Sequence, residues 1–209
     1  MIGYDEASGL KFDVKKAHTL MEEAGYAQKE GKWVHKKTGQ PLPPLVFTYN
    51  TNEAHKTIAE NLQAQWKRNL GLDVEVNNQE WKVYLKTLQT ADNDLVNAPF
   101  HFYRLGWVAD YPDPDNFVSI FTSYSEQNHT GWKSKKYDDL VGKAKVLLNS
   151  DKRSTMYQEA QNMLVEDAAA IIPIYIYSFQ AMWNEEIVKG VYLNPLDTWR
   201  LEKIWLTRK

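Results

Sequence analysis

The sequence predicts an α/β fold, with helices alternating with strands around a mixed sheet. Three observations carry that expectation. Two stretches, 14–24 and 53–70, place apolar residues at helical spacing and stop at Gly25 and Gly71. Leu72, Val74 and Val76 then alternate as in a half-buried strand. Phe100, Phe102 and Tyr103 supply β-favouring aromatics ahead of Pro112 and Pro114, which end any ladder and fix the backbone.

Taken in order, residues 1–11 read as a connector. Asp13 can cap the first helix, with Val14, Ala17, Leu20, Met21 and Ala24 on one face. Residues 32–35 and 45–49 read as two strands of a hairpin. The polar turn at 36–40 and Pro41, Pro43 and Pro44 would join them. The helix at 53–70 packs through Ile58, Leu62, Trp66 and Leu70. A short amphipathic helix is expected over 81–88 and a polar loop over 91–97.

After the proline turn, 116–121 reads as a helical piece and 123–132 as an exposed loop. Ser134 caps a helix with Tyr137, Leu140, Val141, Ala144 and Leu148 inward. Asp151 caps another with Met156, Ala160, Met163 and Leu164 inward. Residues 171–177 form a β-rich apolar run, and Pro173 places it at a strand start or edge. The remainder reads as short β-like pieces with turns at Lys189-Gly190 and Asn194-Pro195.

The composition narrows the function. A chain of 209 residues with 43% hydrophobic and 25% charged residues is long enough to bury a good core. Its formal charge of -2 gives no push towards nucleic acid or an anionic membrane. Without cysteine it has neither a disulfide framework nor a thiolate metal site. Eight Trp and twelve Tyr are many for this length, and aromatics fill cores but also line pockets for chemically varied ligands. No apolar run reaches ~18 residues. The start, Met1-Ile2-Gly3-Tyr4-Asp5, carries no export signal and no lipidation cysteine.

The densest chemistry lies between Tyr103 and Pro114. If the strand stays regular there, Arg104, Gly106 and Asp110 share a face, with Trp107 opposite. At ~3.3 Å per residue, Arg104 and Asp110 would lie about 20 Å apart and could hold two ends of a small zwitterion. Gly106 lets another backbone approach closely.

The string R-L-G-W-V-A-D-Y-P-D-P-D-N-F resembles the signature of the extracytoplasmic oligopeptide-binding proteins of ABC importers, solute-binding family 5. Three other segments resemble the same family in the same order: F-D-V-K-K-A-H-T-L-M-E-E-A-G-Y, N-L-G-L-D-V-E-V-N-N-Q-E-W and A-A-A-I-I-P-I-Y-I-Y. The resemblance covers nearly the whole chain but only the C-terminal part of a typical member. It implies a lobe of the type II periplasmic-binding-protein-like fold, with residues 1–177 as the C-terminal peptide-binding lobe. Residues 178–209 would be a tail that crosses back to an N-terminal lobe. Trp183, Trp199 and Trp205 in that tail would then need another surface: their own lobe, an exchanged homo-oligomer or a partner chain.

The same resemblance implies the site. Asp110 would meet the α-ammonium of a bound peptide; the plainer reading is an Asp opening a proline turn. Arg104 and His55 would meet peptide C-terminal carboxylates, for which an arginine fork is well shaped. The alternatives are a structural ion pair for Arg104 and a surface position for His55. Trp107 and Trp81 match positions flanking side-chain pockets, although either could be core. Gly106, Val108 and Ala109 would lend backbone to the peptide as an added strand. Two departures from the family pattern are Val108, where some relatives carry cysteine, and a longer span from Trp81 to Arg104, with 92–97 as an inserted loop.

No catalytic residue, metal site or cofactor is expected. An EF-type calcium loop around Asp110, Asp113 and Asp115 would need a glycine and a distal bidentate acid, and neither is in place. There is no nucleophile elbow, Walker loop or dinucleotide glycine pattern. The expectation is a non-catalytic, periplasmic or extracytoplasmic peptide binder that hands its cargo to an ABC permease. The alternative is a stand-alone lobe acting as a protein-interaction module.

Overall fold

The computed structural model describes residues 9–92, 94–178, 180–194, 196 and 198–207. Residues 1–8 of the expected connector and Pro195 of the second expected turn lie outside these. The chain divides into two compact units: Lys11–Gly106, and Trp107–Lys209 together with Met1–Leu10.

The first unit opens with α1 (Val14–Glu23), capped by the Asp13 carboxylate accepting from the Lys16 amide at 2.9 Å. Its apolar face covers little, since none of its residues is fully buried and Leu20 is exposed. Next come β1 (Tyr26–Lys29) and β2 (Lys32–His35), an antiparallel hairpin. This corrects the expected pairing of 32–35 with 45–49. The turn decides it: Glu30 and Gly31 both have positive φ, 52° and 78°, the combination of a tight I′ turn. Beyond β2 the chain folds back only as a single bridge from Val34 to Pro41.

The sheet that organises this unit contains β3 (Leu45–Asn50), β4 (Val74–Gln79) and β5 (Phe102–Tyr103), all parallel, in the order β4-β3-β5. Among the described residues parallel pairing is confined to this sheet, and the antiparallel pairs lie outside it. α2 (Glu53–Leu70) links β3 to β4, and α3 (Trp81–Ala91) follows β4. Parallel strands need such crossovers. Asn52 caps α2 through its side-chain oxygen, and Gly71 ends it at φ 68°. β3 is covered on both faces. Phe47 and Tyr49 pack with Ala59, Leu62 and Trp66 of α2, whereas Val46 packs with Tyr84, Leu88 and Phe100 on the α3 side. Fully burying each large apolar side chain contributes about 1.5–3 kcal/mol.

The second unit is mainly helical. It holds the short α4 (Asp115–Val118), α5 (Lys135–Lys145) and α6 (Ser150–Asn162), the last running into a π turn at Met163–Asp167. Its core is Val118, Tyr137, Val141, Ala144, Tyr157, Ala160, Met163 and Leu164. Ser134 caps α5 as expected, but Leu148 lies beyond that helix and is fully exposed. Asn149, not Asp151, caps α6, since its side chain accepts from the Lys152 amide at 2.9 Å. The loop at 123–132 is not simply exposed. Asn128 donates to the carbonyls of Phe121, Thr122 and Trp132, and His129 is buried.

Residues 171–177 form no strand. The run carries the apolar residues of one, but among the described residues it joins no ladder, and Ile172, Ile174, Tyr175, Ile176 and Tyr177 are exposed. Further on, β6 (Val188–Lys189) pairs antiparallel with β7 (Trp205–Leu206). Trp199 and Trp205 remain exposed.

Candidate functional site

Three strands of the parallel sheet end at one edge, and a candidate residue follows each end. After β3 comes the first turn of α2 with His55. After β4 comes the first turn of α3 with Trp81. Directly after β5 comes Arg104. The carboxyl ends of parallel strands are where open α/β sheets present their ligands.

His55 is not a surface residue. It is 8% exposed, and one ring nitrogen, Nδ1, lies 3.2 Å from the carbonyl of Asn50. Burial holds its pKa below 6.5, and the positive charge of Arg104 pushes the same way. The Asn50 carbonyl opposes both. Trp81 is exposed, with its ring centre 6.2 Å from that of buried Tyr84. The Tyr84 hydroxyl donates to the Arg104 carbonyl. Burial pushes the Tyr84 hydroxyl far above its ordinary range, and neighbouring Tyr103 adds to this. Tyr84 therefore stays a proton donor that fixes the backbone beneath Arg104.

β5 is shorter than the expected strand through Asp110. Its last ladder bond is from the Arg104 amide to the Thr48 carbonyl, 3.0 Å, and at that point Tyr84 meets the Arg104 carbonyl. Arg104, Gly106 and Asp110 therefore do not share the face of one continuous strand. His55, Trp81, Arg104 and Gly106 belong to the first unit, and Trp107, Val108, Ala109 and Asp110 to the second. Gly106 and Val108 are exposed and Ala109 is buried.

In the second unit the exposed Asp110 and part-buried Trp107 meet at a residue that the sequence reading passed over as part of a helical piece. Asn116 is 5% exposed. Its side-chain oxygen accepts from the Trp107 indole at 2.8 Å and from the Asp110 amide at 3.1 Å, while its nitrogen lies 3.5 Å from the Asp110 carboxylate. The sequence signals were its place two residues after Pro114, where the turn enters a helix, and its inclusion in the R-L-G-W-V-A-D-Y-P-D-P-D-N-F string.

The other two acids of the turn are already engaged. Arg153 donates to both oxygens of Asp113. Buried Asp115 accepts from the hydroxyls of Tyr111 at 2.8 Å and Tyr157 at 3.2 Å, with the Lys145 ammonium 3.7 Å away. These contacts tie the proline turn to the α5–α6 core.

The model of the bacterial extracellular solute-binding proteins, family 5, middle region, matches residues 2–129. The chain belongs to that family. A dipeptide-binding protein of Bacillus subtilis, DppE, is 33% identical to this chain over 195 residues, covering 92% of the chain and 33% of the relative. The periplasmic oligopeptide-binding protein OppA of Salmonella typhimurium is 31% identical over 201 residues, covering 93% and 32%. The chain thus spans about a third of the length of the curated relatives it matches.

Solved structures agree. A periplasmic oligopeptide-binding protein of an oligopeptide ABC transporter from Borrelia burgdorferi superposes with a TM-score of 0.75 at 28% identity, covering 99% of the chain and 38% of that structure. Haemophilus influenzae OppA, solved with the peptide RPPGFSPFR, gives 0.71 at 28% identity, covering 93% and 35%. The α/β fold is that of a family 5 lobe, and these family members are solute-binding proteins. Among the described residues no helix is long and apolar enough to cross a membrane.

Proposed function

We propose that this chain supplies one lobe of an extracytoplasmic peptide receptor, without catalysis, metal or cofactor. The observation that carries the reading is the gathering of His55, Trp81 and Arg104 at the carboxyl ends of β3, β4 and β5. The Arg104 charge reaches His55 and helps lower its pKa, and a guanidinium at this edge suits the carboxylate of a peptide. In the other unit Asp110 offers an exposed anion to the peptide ammonium. Trp107 and Trp81 border the ligand's side chains, and Gly106, Val108 and Ala109 lend it backbone.

In this proposal residues 1–177 form the C-terminal peptide-binding lobe, and 178–209 cross to an N-terminal lobe that encloses the peptide from the other side. The closed receptor passes its cargo to an ABC permease in the membrane. The exposed Met182, Trp199 and Trp205 support a surface that another lobe covers. The same exposure favours a second reading, a stand-alone interaction module or a homo-oligomer joined through the tail.

The test is Asp110→Asn in the complete two-lobe protein. Binding of short peptides should weaken by about 2–4 kcal/mol, the cost of truncating one partner of a buried charge pair. N-acetylated peptides should be rejected to a similar degree. Equal affinity for free and acetylated peptides sinks the assignment, and an interaction module would respond to neither.

A further inference from the structure

We propose that Asn116 is the positioning residue for Asp110, the device that gives this lobe its preference for a free peptide amino terminus. The proposal rests on the peptide reading and adds to it the residue that sets the geometry of the anion. Its basis is a set of contacts around one buried amide.

Asn116 is 5% exposed and sits in the first turn of α4. One oxygen accepts two hydrogen bonds, from the Trp107 indole at 2.8 Å and the Asp110 amide at 3.1 Å. Both lone pairs of that oxygen are thereby used. The nitrogen of the same amide faces the Asp110 carboxylate, with Oδ2 at 3.5 Å. Asp110 is thus approached by Asn116 at backbone and side chain together, and the flanking indole is held by the same group.

The support behind Asn116 is fixed as well. The Asn116 amide donates to the Asp113 carbonyl at 3.1 Å, and Asp113 is gripped by Arg153 of α6. Next to it, Asp115 is buried among Tyr111, Tyr157 and Lys145. A carboxylate on an otherwise exposed, unpaired segment would sample many rotamers and lose entropy on meeting an ammonium. Holding its backbone and one oxygen in advance removes part of that loss. Neither Trp107 nor Asp110 could be so held by an apolar residue at 116, nor by a hydroxyl too short to span both donors.

Two kinds of measurement on the 209-residue chain test this. The first is exchange of the Trp107 indole N–H by NMR, with the signal assigned through Trp107→Phe. In the wild-type chain it should exchange at least tenfold more slowly than a free indole, and in Asn116→Ala that protection should be lost. The second is titration with trialanine and N-acetyl-trialanine at millimolar concentration. Asn116→Ala should shrink the preference for the free amine by about two- to threefold, since an exposed ion pair contributes little in the open lobe. Asn116→Asp, which keeps an acceptor for both N–H groups, should retain the indole protection.

A merely structural role would weaken both peptides in proportion and leave their ratio unchanged, which overturns the proposal. Free-indole exchange in the wild-type chain overturns it without any variant, even where Asn116→Ala does not fold. If the wild-type chain shows slow exchange but no preference between the peptides, the peptide reading has failed, and with it the role assigned to Asn116, while the contacts themselves stand.

Discussion

Arg153 grips Asp113 with both arms of its guanidinium, each nitrogen 2.7 Å from its own carboxylate oxygen. The fork also reaches the Tyr157 hydroxyl at 3.0 Å, and its third nitrogen donates to the Ala144 carbonyl at 3.1 Å. One side chain therefore joins the proline turn, the end of α5 and the body of α6. Planar, paired donors are what lysine lacks.

Arg153→Ala should cost about 2 kcal/mol at neutral pH, below the range for fully buried pairs because both partners keep some exposure. The Arg153 hydrogen bond holds the Asp113 carboxyl below its ordinary 3.8, while burial opposes it. The folded value lies below the unfolded one, so this stability is complete above pH 3.8 and is lost as pH falls through the folded value. Urea unfolding at pH 7 and in steps below pH 4 checks both parts. A variant within about 0.5 kcal/mol of wild type at pH 7 would show that the fork contributes no more than an ordinary surface contact.

His55 should titrate below 6.5, because burial removes water from its charged form and Arg104 repels it. Here too the folded value is the lower one. As pH drops, the unfolded chain takes its proton first. The stability tied to neutral His55 is complete above pH 6.5 and is lost as pH falls through the folded value. Arg104→Ala should raise the His55 midpoint part of the way back and leave the contribution of burial in place. NMR titration of the imidazole carbons measures this. A wild-type midpoint at or above 6.5 would mean that His55 faces water.

The helices were legible because their signals are local. The Ser134 cap and the Gly71 stop lie within a turn of the elements they bound. His55, Arg104 and Asp110 were legible as candidates through their motifs. Tertiary partnership was not. The 26–29 strand has only Tyr26 and Ala27 as apolar marks, so its pairing with 32–35 rests on the two positive φ angles at Glu30 and Gly31. The 171–177 run has strand composition but no strand beside it, and composition cannot supply a partner. Asn116 was missed because a buried amide that accepts from two donors looks, in sequence, like any polar residue opening a helix.

The segment from 171 to 194 should show the least amide protection among the described residues. Outside β6 its described residues form no ladder, and most of its large apolar side chains are exposed, Met182 to 99%. Amides without lasting hydrogen bonds exchange through small, local openings. Hydrogen exchange read by mass spectrometry should place these peptides well ahead of α5 and α6. If protection rises with protein concentration, copies of the chain are covering the segment. Strong protection in a dilute monomer would mean that it packs on its own unit.

These 209 residues alone should bind peptide weakly. A ligand enclosed from two sides divides its contacts between two lobes. A complete binder with a dissociation constant of about 1 μM has roughly -8 kcal/mol of binding free energy. Losing half of that leaves about -4 kcal/mol, which is millimolar. The charges add little in the open lobe. Asp110 is exposed, and an ion pair formed in water contributes only about 0–1 kcal/mol. What binding remains should weaken as salt is raised, because exposed charges are screened within about 10 Å at 0.1 M. Calorimetry with tri- to pentapeptides at low and high salt is the measurement. Micromolar affinity in a proven monomer would show that one lobe suffices, and the two-lobe capture proposed for this chain would then be wrong.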